Sequence, residues 1–330
     1  MTILVTGGAG YVGSIVAEEL LNKGYDVVVL DDLRQGHKEA ISPGVQFSLT
    51  DICDETALDK VFHLFEVSAV IHMAAETAVE YSMTDPRRYF KANVLGGMKL
   101  LEAMLRNNCL NIVFSSTAAV YGEPRSLPIE EDHPETPTNA YGESKLIFEH
   151  ILGWYGQAYG LKHISLRYFN AAGATELLGE DHRPETHLIP NILRVAIDKN
   201  KPVAVFGTDY QTRDGSCIRD YIHVADIARA HLLSLQKLND LNSRIYNLGN
   251  GNGYSVFEVI ETARKITGLD ITVEHCARRS GDPAELVASS NRARDELGWV
   301  PCFPELESII KSSWRWMLKH PNGYGSNQLQ

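Results

Sequence analysis

The sequence predicts an α/β protein, with a doubly wound parallel sheet followed by a smaller α+β C-terminal lobe. Three observations carry that prediction. Short apolar runs alternate with helical stretches over the first 170 residues. A glycine-rich turn separates the first strand from the first helix. The alternation stops after Asn170, where residues 171–190 are rich in Gly, Glu and His and show no clean period.

Residues 2–6 read as a buried strand and residues 12–23 as an amphipathic helix closed by Gly24. Strands follow at 26–30, 45–49, 69–73, 111–114 and 163–167, and helices at 55–65, 87–106 and 141–159. The run Val27-Val28-Val29-Leu30 is apolar enough to be covered on both faces, as a parallel sheet requires. Residues 171–190 read as a loop over a site. Helical and strand patterns then mix, and 245–249 reads as a strand returning to the main sheet. The Gly-, Asn- and Gln-rich tail after Pro321 reads as frayed.

A chain of 330 residues, 44 % hydrophobic, buries a large core in two lobes. Its net charge of −11, from 31 Lys and Arg against 42 Asp and Glu, argues against nucleic acid or an anionic membrane as main partner. It leaves room for a local cationic pocket that takes a phosphate. Cys53, Cys109, Cys217, Cys276 and Cys302 are scattered without a CxxC pair, so the cysteines suggest neither a disulfide framework nor a zinc site. No metal ligand set is read from the sequence. No apolar run approaches 18 residues, and the chain enters a strand without a basic leader, which implies a cytoplasmic protein.

The turn Thr6-Gly7-Gly8-Ala9-Gly10-Tyr11-Val12-Gly13 contains GxGxxG between a strand and a helix. Gly7, Gly10 and Gly13 permit the tight turn, and backbone N–H groups around Tyr11 and Val12 can then meet a pyrophosphate at the helix N-terminus. This is the signature of a Rossmann-type dinucleotide domain, placed over residues 1–170. Asp31, with Asp32 beside it, ends the second strand. A carboxylate there accepts from a ribose 2′-OH and repels a 2′-phosphate, which favours NAD over NADP. Asp51 and Ile52, after the third strand, are candidates for the adenine, although Asp51 taken alone reads as a turn residue.

Chemistry is expected at Tyr141 and Lys145. Of the 14 tyrosines only Tyr141 has a lysine four residues on, which puts both on one helix face. A free phenol, with a pKa of about 10, is a poor base at neutral pH, and an adjacent ammonium favours the phenolate. As bare spacing the pair reads as a solvated helix face. Behind a dinucleotide turn it reads as a base and its tuner. Thr117, in Ser115-Ser116-Thr117 at the end of a buried strand, faces the same crevice and can hydrogen-bond a substrate hydroxyl opposite Tyr141, or merely cap a turn.

Together these motifs resemble the extended short-chain dehydrogenase/reductase family. Arg167-Tyr168-Phe169-Asn170, Arg219-Asp220-Tyr221-Ile222-His223, Tyr246-Asn247-Leu248-Gly249 and Arg278-Arg279-Ser280-Gly281-Asp282 narrow the resemblance to its UDP-glucose (UDP-galactose) 4-epimerases. The resemblance implies NAD-dependent epimerisation at sugar C4, with Tyr141 as the base, Lys145 on the nicotinamide ribose and Thr117 bridging the 4-OH. It implies Asn93 and Tyr168 near NAD, and Leu188, Phe206, Asn170, Arg219, Arg279 and Asp282 around a UDP-sugar in a lobe spanning 171–330. For Arg219 and Arg279 the plainer reading is salt bridging. A homodimer paired through 87–106 and 141–159 is implied as well. Two positions depart from the family pattern. Thr77 stands where a lysine is common, and Leu286 stands where a tyrosine would exclude 2-acetamido sugars. A pentose or uronate substrate stays open. A 4,6-dehydratase would carry Asp-Glu after Thr117, where Ala118-Ala119 stand. A UDP-glucuronate decarboxylase or a silent NAD-binding scaffold is a further alternative, and the intact Tyr141 and Lys145 speak against the scaffold.

Overall fold

The structure is a computed structural model that describes residues 1–198, 201–241, 243–279 and 281–325. Ser280 of the Arg278–Asp282 motif and the last five residues of the tail lie outside the described residues.

Strands β1 (Thr2–Thr6), β2 (Asp26–Asp31), β3 (Gln46–Leu49), β4 (Val67–His72), β5 (Asn111–Thr117) and β6 (Lys162–Tyr168) are joined by helical crossovers. Helix α1 (Tyr11–Asn22) links the first two strands, and α2 (Glu55–Phe65) links β3 to β4. Between β4 and β5 run α3 (Val79–Ser82), α4 (Pro86–Tyr89) and α5 (Gly97–Arg106), and α6 (Ala140–Tyr159) precedes β6. The helix expected over 87–106 is interrupted by a π-helical stretch at Phe90–Gly96. Such a stretch re-aims side chains locally, and here it turns Asn93 into the core.

The second half comprises β7 (Asn170–Ala172), α7 (Leu188–Ile197), β8 (Val203–Phe206), β9 (Ile218–His223) and α8 (Val224–Leu241). It continues with β10 (Ser243–Leu248), β11 (Gly253–Ser255), α9 (Val256–Thr267), β12 (Val273–Cys276), β13 (Glu285–Leu286) and α10 (Leu306–Lys319). Among the described residues, seven strands form one parallel sheet in the order β10-β6-β5-β4-β1-β2-β3. Strand β10 pairs with β6 in register Ser243 to His163 through Leu248 to Tyr168. The chain thus re-enters the first layer with α8 and β10, then leaves it for the second lobe.

The period-2 alternation of strand side chains builds both faces of the sheet. Ile3, Val5, Val29 and Ile71 pack with Val16 and Leu20 of α1 and Ile227 and Leu235 of α8. Leu4, Val28, Val70 and Phe114 face the other way, onto Leu58 and Phe62 of α2, Leu100 and Met104 of α5, and Phe148 and Leu152 of α6. A separate core under α7, α9 and α10, including Ile192, Val205, Ile260 and Ile309, holds the second lobe. The strand order reverses between β1 and β4, so the crevice for ligands opens at their carboxyl ends. No helix among the described residues is long and apolar enough to cross a membrane.

Candidate active site

Helix α1 starts at the crevice. Its N-cap, Gly10, gives no side-chain cap, and no acidic residue lies in the first turn. The exposed N–H groups therefore form an anion site. The glycines are required by contact. A Cβ at Gly13 would stand 2.2 Å from the Gly7 carbonyl oxygen, and one at Gly7, whose φ is +71°, would meet the Ala74 nitrogen at 2.6 Å.

Asp31 secures this turn. Its carboxylate accepts from the Ala9 N–H at 3.0 Å and the Leu33 N–H at 2.9 Å. Burial raises its pKa, and those two hydrogen bonds oppose the rise. Asp32 is paired with Arg34, Nε to Oδ2 at 2.6 Å.

Tyr141 and Lys145 sit across the crevice. Asn139 caps α6 by accepting from the Gly142 N–H at 2.9 Å, and Gly142 lets the helix start close against Ala119. This places Tyr141, in the first turn, beside Thr117 at the end of β5. The Thr117 hydroxyl accepts from the Ala119 N–H at 3.1 Å and stands near enough to the Tyr141 phenol to act on its pKa. Burial pushes the Tyr141 pKa up, and Thr117 pulls it partly back. That direction is opposite to the one expected from spacing alone. Lys145 does not spend its charge on the phenol; its Nζ donates to the Ser115 carbonyl at 2.8 Å and lies over the Phe114 ring. Burial lowers Lys145 itself to about 7, against the attraction of Glu149.

A depressed lysine carries a stability consequence. From pH 10.5 down to about 7 the unfolded chain takes a proton that the folded chain refuses, so stability falls as pH falls through that window. Lys145→Met should therefore be more stable than wild type at pH 7, with the gain shrinking toward pH 10, while activity is lost. Urea denaturation of both proteins from pH 6 to 10 checks this, and equal pH slopes would refute it.

One continuous cavity of about 1350 Å³ joins these groups to the second lobe. Gly7, Gly10, Tyr11, Val12, Gly13, Asp31, Asp32, Ile52 and Thr77 line one end. Thr117, Tyr141, Tyr168 and Asn170 line the middle, and Leu188, Phe206, Arg219, Arg279, Asp282 and Leu286 line the other end. Burial drives the Tyr168 phenol well above its usual range. Arg279 lies over the Phe206 ring at 3.9 Å from its centroid. Arg219, 9 % exposed, is paired with Asp282 at 2.5 Å, so the two meet one another across this wall.

Three residues expected at the cofactor stand behind the wall or off it. Lys145 is buried beneath it. Asn93 is also buried; it accepts from the Glu76 N–H at 2.8 Å and donates to Ser144 Oγ at 2.9 Å. Ser144 in turn donates to the Tyr141 carbonyl at 2.7 Å, so Asn93 braces the first turn of α6. Asp51 is half exposed and accepts from the Cys53 N–H at 2.8 Å, the turn role that its type favours. The sequence reading missed Glu180, His182, Glu185 and His187, which also line the cavity.

The sequence model described as the NAD dependent epimerase/dehydratase family matches residues 3–249. The chain belongs to that family. A UDP-glucose 4-epimerase of Halalkalibacterium halodurans is 51 % identical over 99 % of this chain and 98 % of its own length. A crystal structure of a UDP-glucose 4-epimerase superposes with a TM-score of 0.96 at 47 % identity, covering 99 % of this chain and 100 % of that one. The Bifidobacterium longum UDP-glucose 4-epimerase, solved with NAD+ and UDP, gives 0.94 at 39 % identity over 98 % and 100 %. The cofactor of the family is NAD. The present residues fit it: the Gly7–Gly13 cradle has room only for backbone, and the uncapped α1 N-terminus suits a diphosphate.

Proposed function

We propose that this protein interconverts UDP-glucose and UDP-galactose by inverting C4 of the sugar. One observation carries the reading. Tyr141 and Thr117 line a single cavity together with a dinucleotide cradle and a guanidinium–aromatic wall.

NAD, held by Gly7, Gly10, Tyr11, Val12, Gly13, Asp31, Asp32 and Ile52, would supply a reversible two-electron acceptor. The chain's own residues bind, orient and move a proton. Thr117 holds the 4-OH against Tyr141, which in its phenolate form, favoured by the positive charge that bound NAD would bring, takes the proton as the C4–O bond becomes a carbonyl. Asn170, Leu188, Phe206, Arg219, Arg279 and Asp282 anchor the uridine diphosphate, leaving the sugar to turn. Arg219 carries five N–H donors. Its described contacts to the Ile218 carbonyl and Asp282 leave donors for a diphosphate. Tyr141 then returns the proton, and the cycle involves no net oxidation. In this reading residues 1–170 are the NAD-binding domain and 171–330 the nucleotide-sugar lobe, with β10 lent back to the first sheet.

The test is incubation of the purified protein with UDP-galactose without added NAD. UDP-glucose should form. Failure even with NAD supplied would end the claim for this substrate. Leu286 on the wall is smaller than a tyrosine, so UDP-N-acetylglucosamine should also turn over. Leu286→Tyr should then lower kcat/KM for the acetamido sugar by about tenfold or more while sparing UDP-galactose. No acetamido turnover in wild type would remove the proposal.

Exposed Leu95 and Met98 on one segment and Trp154 and Tyr159 on α6 support a homodimer through these helices. Light scattering of the purified chain checks it. The five free cysteines suit the reducing cytoplasm.

A further inference from the structure

Residues 173–187 run between β7 and α7 without regular structure. Within this run Glu180, His182, Glu185 and His187 bring one ligand atom each within 4.8 Å of the others. His187 Nδ1 lies 2.8 Å from Glu180 Oε1 and 2.9 Å from Glu185 Oε1. His182 Nδ1 lies 3.2 Å from Glu180 Oε1 and 3.8 Å from Glu185 Oε2. A tetrahedral zinc with N and O bonds near 2.0–2.1 Å requires ligand atoms about 3.3 Å apart. The separations to Glu180 Oε1 and Glu185 Oε1, 2.8–3.2 Å, lie just inside that edge, and the contact to the other Glu185 oxygen, at 3.8 Å, lies beyond it.

A second observation points the same way. The Glu185 side chain is 1 % exposed, and its Oε2 makes no hydrogen bond. Its Oε1 accepts from the Thr186 and His187 N–H groups, both at 2.9 Å, which fixes the carboxylate's aim. Arg194 Nη2 and His182 Nδ1 each stand 3.8 Å from Oε2, in ion-pair range but beyond hydrogen-bond range. A buried carboxylate oxygen without a donor is unfavourable, and a cation at the centre of the four groups would satisfy it.

We propose that Glu180, His182, Glu185 and His187 bind one zinc-class divalent cation that fastens this loop. Two carboxylates and two neutral imidazoles balance the cation's charge, and imidazole nitrogens select zinc over magnesium. The centre is placed to join the two ends of the cavity. The Tyr11 ring meets His182 edge-on at 6.2 Å, and its hydroxyl donates to the Gly173 carbonyl at 2.6 Å. On the other side His187 is directly followed by α7. The rival occupants are protons on the two imidazoles, which zinc must displace.

The full-length protein is stripped with EDTA and titrated with zinc alone against a chromophoric chelator. Bound metal is counted by mass spectrometry and Tm is followed by calorimetry. One zinc per chain should bind and raise Tm, and magnesium in about a hundredfold excess should not displace it. His182→Ala, His187→Ala and Glu185→Gln should each weaken zinc by about tenfold or more. His63→Ala, on the exposed side of α2, should leave it unchanged. Glu185→Gln keeps the side chain's shape and serves as the readout should an alanine variant fail to fold. Substoichiometric zinc in the wild type, or wild-type affinity in Glu185→Gln and the histidine variants, overturns the proposal. Metal counts do not depend on which sugar turns over.

Discussion

Tyr141→Phe is expected to keep NAD and lose turnover by about 10²–10⁴-fold, the usual contribution of a positioned proton-transfer group. The substitution removes one oxygen and leaves the ring. Gly142, Asn139 and the Ser144–Asn93 relay that set the start of α6 do not touch that oxygen. The helix should therefore hold its place. Thr117 keeps its bond from the Ala119 N–H and so stays oriented, but no group remains to take the proton from the 4-OH. The loss should fall on kcat rather than KM, because the proposed UDP contacts are made by other residues of the cavity. Bound NAD is measured after denaturation and kcat with UDP-galactose. Wild-type kcat in the variant would refute the assigned base.

Arg167→Ala is expected to lose about 3–5 kcal/mol of stability, the cost of leaving a buried partner charge uncompensated. Arg167 is fully buried in β6. Its Nε donates to Glu149 Oε1 at 3.0 Å, its Nη1 to the Tyr121 hydroxyl at 3.0 Å, and its Nη2 pairs with Glu149 and Glu135. Tyr121 passes the network on to Asn247 of β10 at 2.7 Å, and Ser116 of β5 donates to Glu149 of α6. One guanidinium thus ties β5, α6, β6 and β10 together. Removing it strands Glu149, whose side chain is 3 % exposed. Arg167→Met combined with Glu149→Met should recover part of the loss, because no orphan charge remains. Urea denaturation of wild type, single and double variants decides it. A single-variant loss under about 1 kcal/mol would show that the network adds specificity without stability.

Arg167 also marks the limit of what a motif reveals. In the sequence it stood beside Tyr168, Phe169 and Asn170 as part of a signature. In the fold it points away from the cavity while Tyr168, Phe169 and Asn170 line it. The direction of each side chain depends on strand pairing, which a linear motif does not contain. Asn93 and Asp51 show the same limit. The π-helical stretch turns Asn93 into the core, and nothing in the local residue types announces that stretch. Asp51 satisfies the nearest backbone N–H two residues on.

The alternation of strands and helices, the dinucleotide turn and the tyrosine–lysine spacing were legible from the sequence alone. Each depends on interactions within a few residues: side-chain periodicity, the absence of Cβ at Gly13 beside Gly7, and a cap at Asn139. The partners of the charged groups were decided by tertiary structure. Arg219 meets Asp282 from 63 residues away, and Lys145 donates a hydrogen bond to the Ser115 carbonyl 30 residues back. The four ligand atoms of Glu180, His182, Glu185 and His187 converge in a stretch without periodicity. Charges and loops carry no repeat that fixes their neighbours, because desolvation and long-range geometry choose among several partners of equal chemistry.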